Sequence, residues 1–236
     1  SPINICNNSV HGQSVYTAAE LNAAGITGPI LITGLGFNVI SAPDHSLEDF
    51  VVRIKHTDMP DAQLWHTGDD LVTVYGNASY MPVAGGYDML HFTTPFEWNG
   101  TDNILVDTAF GLIPISTDSG TLQYTSMTNG YRFAWSDTAD QTNVFSGGIA
   151  VNRRPNVRLE IQPVQIVLDA PVVEITYDAQ NTILSWNAVS NADEYHVYSA
   201  SEPDGAYAQI GTATGLSFTD ERGLEKAFYY VKAVAY

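Results

Sequence analysis

The amino-acid sequence predicts an all-β protein built from two successive β-sandwiches. Short runs of alternating apolar and polar residues recur along the 236-residue chain, and Gly, Pro, Asn and Asp separate them. Regularly spaced short strands with turn residues between them are typical of sandwich folds. Apolar residues form 44% of the chain, which is enough for a hydrophobic core and argues against intrinsic disorder.

The first part of the chain contains a series of predicted strands and a single predicted helix. The strand-like runs are residues 30–40, 50–56, 70–75, 89–93, 104–110, 131–135 and 156–161. The helix is predicted over residues 17–24, because Thr17 and Glu20 have the spacing of a capping box and Gly25 follows. A helix this short is marginal alone, so we expect it to pack against a sheet.

A proline-bounded segment, residues 163–170, predicts a linker between a first domain, residues 1–162, and a second domain, residues 171–236. Strand-like runs with a different spacing follow the linker. They are residues 172–177, 182–186, 194–199, 207–211, 217–219 and 228–236. This second series predicts a smaller sandwich with its own core.

The charge of the chain excludes one class of partner. Its 26 acidic and 9 basic residues give a formal net charge of −17, and a surface this negative repels the phosphate backbone of nucleic acids. Only 15% of the residues are charged, against roughly 25% in an average soluble domain. Because many exported β-proteins share this polar but weakly charged composition, we expect a secreted or cell-surface protein.

Membrane insertion is not expected, because the chain has no run of about 18 apolar residues. The sequence opens at Ser1 without a basic or apolar leader, so we expect that any signal peptide was removed or was never present.

Cys6 is the only cysteine, which excludes a disulfide within the sequence. We favour a buried thiol at Cys6, with an intermolecular contact as the alternative.

The second domain resembles a fibronectin type III domain. The residues that carry the resemblance are Pro171, LSW at 184–186, Tyr195, Val197, Tyr198 and FYYVKAVAY at 228–236. The resemblance implies that Trp186 is the centre of the core. It also implies that Tyr229 forms the tyrosine corner of the family, with Val231 and Ala233 facing the core behind it.

Strand G of that family has no counterpart in this sequence, which stops at the end of predicted strand F. We therefore expect strand F to have an open edge, which soluble proteins normally avoid. The side chains expected on its exposed face are those of Phe228, Tyr230, Lys232, Val234 and Tyr236.

One hypothesis for the open edge is that a strand from a second copy of the chain fills it. The segment SPINIC at residues 1–6, with Ile3 and Ile5 on one face, is a candidate donor. Head-to-tail contacts of this kind would build a filament. The alternatives are an edge shielded by twist, by Lys232 or by the first domain, or a six-stranded variant of the fold.

The first domain resembles β-sandwich modules that precede fibronectin type III domains in large surface proteins of Bacteroidetes-like and Cloacimonadetes-like bacteria. The stretches that carry the resemblance are QSVYTAAEL at 13–21, ITGLGFNV at 32–39, HFTTPFEWNGTDNILVDTAF at 91–110 and NRRPNVRLEI at 152–161. The resemblance implies secretion, display and a jelly-roll-like sandwich. It brings no known catalytic residues.

Metal sites have only weak signals in the sequence. The six histidines lack the spacing of local ligand pairs, so we interpret them as polar strand and loop residues. The loop SDTADQTN, residues 136–143, is rich in oxygen atoms, which makes Asp137 and Asp140 candidate calcium ligands. The alternative is a solvated loop, since the glycine and distal glutamate of a calcium-binding loop are missing.

Aromatic residues offer a different candidate site. Trp65 in QLWHTGDD and Tyr87 in GGYD occupy predicted loops of the first domain. Flat rings in such positions stack on the apolar faces of sugars, so both are candidates for glycan stacking. The alternative for each ring is core or turn packing, and Trp98 in FEWNGTD is assigned a structural role.

Taken together, these features predict a non-catalytic extracellular structural protein without cofactors, which associates with copies of itself or with other surface proteins. The first alternative is a carbohydrate-binding module with a polysaccharide partner. The second alternative is a glycan hydrolase with paired carboxylates, an arrangement that sequence alone does not show.

Overall fold

The structure, a computed structural model, describes residues 2–3, 6–67, 70–114, 119–164, 167–178 and 180–235. The fold is all-β with antiparallel sheets, as predicted. The chain divides into two compact units, residues 1–164 and residues 165–236, which we call unit 1 and unit 2. Among the described residues, no helix has the length and apolar character needed to cross a bilayer.

Unit 1 contains ten of the strands and the helix within its described residues. They are β1 (Ser9–Tyr16), α1 (Ala18–Ala23), β2 (Ile30–Ser41), β3 (Leu47–Thr57), β4 (Val72–Tyr80), β5 (Gly86–Trp98), β6 (Asn103–Phe110), β7 (Thr121–Leu122), β8 (Tyr124–Ser136), β9 (Ile149–Pro155) and β10 (Val157–Pro163). Strands β1, β7 and β9 lie outside the runs predicted from the sequence.

The strands of unit 1 form a sandwich of two sheets. One sheet has the order β4-β3-β6-β1-β8-β9, and the other has the order β10-β2-β5 with β7 paired to β2. The inner faces share one hydrophobic core, whose largest buried side chains include Trp98, Phe37, Phe50 and Phe110. The structural role predicted for Trp98 is confirmed, since its ring is completely buried and its Nε1 donates to the Asp102 carbonyl at 2.7 Å.

Helix α1 has the predicted capping box. The Thr17 hydroxyl accepts from the backbone N–H of Glu20, and the Glu20 carboxylate accepts from the backbone N–H of Thr17. Leu21 is the buried residue of the helix and packs in the core of unit 1. This contact stabilises a helix that is too short to be stable by itself.

Unit 2 is a smaller sandwich of two three-stranded sheets. Its strands are β11 (Val173–Asp178), β12 (Asn181–Trp186), β13 (Glu194–Ala200), β14 (Ala208–Ala213), β15 (Ser217–Asp220) and β16 (Phe228–Val234). The sheet orders are β11-β12-β15 and β14-β13-β16. Residues from both sheets form one core, in which the predicted burial of Trp186, Val231 and Ala233 is confirmed.

Tyr229 is half-buried at the start of β16. Its hydroxyl donates to the carboxylate of Asp220 at 2.9 Å, and Arg222 donates to the same carboxylate. Hydrogen bonds from Arg222 hold the pKa of Asp220 at about 2. Tyr229 therefore bonds the side chain of Asp220, nine residues upstream. In the tyrosine corner of the family, by contrast, the tyrosine hydroxyl bonds a backbone group.

Candidate functional site

The outer face of the six-stranded sheet carries a cluster of paired polar side chains. We call His11 and Gln13 on β1, Arg53 on β3 and Asp107 on β6 the β1 polar cluster. Asp107 accepts from His11 Nε2 at 2.6 Å, from Gln13 Nε2 at 2.9 Å and from Arg53 at 3.0 Å. These bonds satisfy both oxygens of a carboxylate that has no exposed surface.

The β1 polar cluster also fixes two loops over the sheet. The other ring nitrogen of His11 lies 2.9 Å from the Val144 carbonyl, and Arg53 donates to the Thr142 carbonyl at 2.9 Å. Gln13 bonds both backbone groups of His66. Because the cluster lies beneath these loops, its structure favours a supporting role over contact with a ligand.

Trp65 lies in the loop that contains His66, as predicted, but its ring already has neighbours. The indole Nε1 donates to the Gly147 carbonyl at 2.8 Å, and the ring centroid lies 4.8 Å from that of His11. The Arg132 guanidinium lies 5.5 Å from the ring centroid. These contacts favour the packing interpretation of Trp65 over glycan stacking.

Trp65 also lines an open pocket of about 530 Å³. Its lining includes three carboxylates, Asp58, Asp70 and Asp102, against one ammonium group and two imidazoles. Lys55 pairs with Asp70 at 2.6 Å, and this hydrogen bond lowers the Asp70 pKa. The walls of this pocket therefore combine an excess of negative charge with apolar surface from neighbouring side chains.

Tyr87 lines a different pocket, which we call the Tyr87 pocket. It has a volume of about 540 Å³ and combines apolar side chains with charged and aromatic ones. The apolar residues include Leu21, Ile26, Leu159 and Ile161, and the others include Tyr16, Glu20, Tyr87, Arg154 and Arg158. The ring of Tyr87 is half-buried, so part of it remains open to this pocket. A pocket with apolar walls and a few oriented polar groups is the usual form of a small-molecule site.

The sequence placed Tyr87 in a loop, and this part of the prediction is wrong. Tyr87 lies in β5, where it is in register with Asn38 of β2. The guanidinium of Arg158, on β10, lies 4.4 Å from the centroid of its ring. The sheet thus fixes the backbone of Tyr87, and the Arg158 guanidinium contacts one face of the Tyr87 ring.

One wall of the Tyr87 pocket is an ion pair between Glu20 and Arg154. Arg154 binds both oxygens of the Glu20 carboxylate, and its guanidinium lies 4.5 Å from the centroid of the Tyr16 ring. The hydrogen bonds from Arg154 lower the pKa of Glu20 to about 2, and burial raises the pKa of Tyr16. Glu20 therefore joins the helix cap to the wall of the pocket.

The two candidate calcium ligands have other partners. Asp137 accepts from the backbone N–H of Asn8 at 3.2 Å, and Asp140 accepts from the backbone N–H of Thr142 at 2.7 Å. In the part of the chain that the structure describes, no group of three or more His, Cys, Asp and Glu side chains is placed to share a metal ion. The geometry adds no support to the calcium hypothesis.

The prediction of a buried thiol at Cys6 is wrong, because the Cys6 side chain is exposed and its Sγ lies 2.7 Å from the Ser119 hydroxyl oxygen.

The hypothesis of an N-terminal donor strand conflicts with the structure at Ile3, which is completely buried in the core of its own unit. Ile5, the second residue of that candidate donor, lies outside the described residues.

The predicted exposed face of β16 is only partly open. Tyr230 is 42% exposed, and its ring stacks on Tyr198 with centroids 4.6 Å apart. Lys232 is exposed, whereas Phe228 and Val234 are half-buried. Tyr236 lies outside the described residues. Within the described part of the chain, β16 pairs with β13 alone.

No protein-family model matches the chain, and a search of curated proteins finds no match. The candidate site therefore depends on the geometry of this chain alone. Of the two aromatic residues predicted from the sequence, Tyr87 has the surroundings of a ligand site and Trp65 has those of a packed loop.

Proposed function

We propose that the chain is a non-catalytic extracellular binding protein in which the Tyr87 pocket of unit 1 holds a saccharide. The observation that carries the proposal is the combination, in a single pocket, of a partly open tyrosine ring with guanidinium groups and apolar walls. Sugars have apolar ring faces and polar edges, and such a pocket offers partners for both. The weakly charged, polar composition supports the extracellular location.

The test is a glycan array of bacterial and plant polysaccharides, followed by calorimetric titration of each ligand found. We expect Tyr87→Ala to weaken binding at least tenfold, because stacking on the ring is lost. The matched control is Tyr177→Ala, since Tyr177 is 79% exposed and lies in unit 2. The proposal fails if no saccharide binds, or if both substitutions leave binding unchanged.

Self-association is a second candidate function, and one observation favours it. Strand β16 has β13 as its single neighbour within the described residues, so its other edge offers unpaired backbone groups there. We expect the sedimentation coefficient to rise with protein concentration, and Tyr230→Lys to reduce this rise while Tyr177→Lys does not. A sedimentation coefficient that stays constant at all concentrations would contradict this candidate.

The resemblance of unit 2 to a fibronectin type III domain remains part of the proposal. The sheet orders β11-β12-β15 and β14-β13-β16, with Trp186 in the shared core, support it. In this proposal unit 2 acts as an accessory module, and ligand binding belongs to unit 1.

A further inference from the structure

The Tyr87 pocket has a local charge opposite to that of the chain. The formal net charge of the protein is −17, yet the charged side chains around the pocket are one carboxylate, Glu20, and two guanidinium groups, Arg154 and Arg158. Since 2 − 1 = 1, the pocket lining carries one net positive charge. The surface of so acidic a chain repels anions in general, so a positively charged pocket would favour an anionic ligand at this one place.

Arg158 is the source of this excess charge. Arg154 is neutralised by Glu20, whereas Arg158 forms no ion pair with any carboxylate of the described residues. The Arg158 side chain is exposed, and its guanidinium carbon lies 4.4 Å from the centroid of the Tyr87 ring. A guanidinium that lies over a ring keeps N–H groups that can bind a planar, bidentate acceptor such as a carboxylate.

The register of three neighbouring strands relates Arg158 to Tyr87. Arg158 on β10 is in register with Gly36 on β2, the strand that separates β10 from β5. The residue opposite Gly36 on β5 is Met89, whose sulfur a Cβ at Gly36 would overlap, and Tyr87 lies two residues from Met89 on the same strand. Arg158 and Tyr87 therefore come from the two strands that flank β2 in one sheet.

We propose that the Tyr87 pocket selects acidic saccharides, in which a sugar-ring carboxylate binds the guanidinium of Arg158. This inference rests on the proposed saccharide-binding function and adds the class of ligand. A hexuronic acid unit has the required chemistry, because it joins a carboxylate directly to a ring with an apolar face. The apolar walls and the Tyr87 ring contact the sugar ring, and Arg158 contacts the carboxylate.

The test uses oligosaccharides of hexuronic acids with several linkages, each paired with its carboxyl-reduced counterpart, which has the same skeleton without the charge. Binding to the whole chain is measured by calorimetric titration. We expect the acidic member of at least one pair to bind at least tenfold more tightly, and added salt to weaken that binding. Arg158→Gln should remove the preference, and Arg158→Lys should keep part of it.

The matched control is Arg153→Gln. Arg153 is also exposed and lies 5.0 Å from the centroid of a tyrosine ring, that of Tyr124, but it does not line the pocket. The inference is overturned if acidic and reduced forms bind equally, or if Arg153→Gln removes the preference as fully as Arg158→Gln; the proposed function survives either result. If neither form of any oligosaccharide binds, and the wider glycan array also finds no ligand, the proposed function itself fails.

Discussion

At the scale of single residues, Gly12 marks a point where the core of unit 1 leaves no space for another atom. Gly12 lies on β1 and faces Tyr131 of β8, whose side chain is 1% exposed. A Cβ at Gly12 would overlap the Tyr131 hydroxyl, and the buried ring has little room to shift. Glycine is therefore required here by close packing.

We predict that Gly12→Ala lowers the free energy of unfolding by about 1–3 kcal/mol, the usual cost of overpacking a core. Gly76→Ala is the control, because a Cβ at Gly76 on β4 would meet open space. Its effect should stay within about 0.5 kcal/mol. Urea titration of both variants measures the difference, and equal stabilities would show that the Tyr131 ring adapts.

Glu20 provides a prediction about pH. Its pKa falls from 4.5 to about 2 in the folded chain because of its hydrogen bonds with Arg154. A lowered pKa contributes stability that is fully present above about pH 4.5 and is lost as the pH falls toward 2. Because the carboxylate is partly exposed, we expect a contribution of about 1 kcal/mol after allowance for solvent screening.

The measurement is the melting temperature of the wild type and of Glu20→Gln between about pH 2 and pH 7. The two curves should differ near neutral pH and converge in acid. Glu97→Gln is the control, since Glu97 is exposed and forms no ion pair among the described residues. A gap between wild type and Glu20→Gln that persists at pH 2 would contradict the assignment.

At the scale of secondary-structure elements, the sequence predicted most strands of both units but missed β1, β7 and β9. Strand prediction depends on alternating apolar and polar residues, with the apolar set facing the core. In β1 the core-facing positions include Gly12 and Ser14, and the opposite face carries His11 and Gln13. The alternation is absent because loops cover the outer face and hydrogen bonds satisfy its polar groups.

The Tyr87 pocket shows a similar limit. The sequence identified Tyr87, since an aromatic residue after a glycine pair is a recognisable candidate. It did not identify Arg158, because its relation to Tyr87 depends on the register between β10, β2 and β5, nor Arg154, which lies on β9 in the other sheet. Glu20 was predicted as a helix cap, but its bond with Arg154 joins residues 134 positions apart. Long-range pairing of this kind leaves no local pattern.

Strand β12 carries the side chain on which we expect unit 2 to depend most. Trp186 is 6% exposed and its ring centroid lies 5.4 Å from that of Tyr195. We predict that Trp186→Ala lowers the free energy of unfolding of unit 2 by about 3–5 kcal/mol, through lost burial and the cavity left behind. Tyr177→Ala, on neighbouring β11, is the exposed control. Calorimetry checks both, and a shift below 1 kcal/mol (about the effect of an average substitution) would contradict the central role of Trp186.

At the scale of the whole molecule, the excess of acidic residues dominates the electrostatics. The chain has 26 acidic and 9 basic residues, so we expect repulsion between carboxylates to exceed the attraction within its ion pairs. We predict that the melting temperature rises as sodium chloride increases from about 10 mM to about 300 mM, because salt screens this repulsion. A falling melting temperature would show that the ion pairs contribute more than the repulsion costs.

Strand β1 lies between β6 and β8, and every one of its residues is buried. Its amide protons can meet solvent only after the neighbouring strands separate, and the loops over its outer face add a second barrier. In native-state hydrogen exchange, these amides should therefore be among the slowest in unit 1 and should report its global unfolding. A polar strand that local sequence patterns overlook would then be the last part of the unit to open.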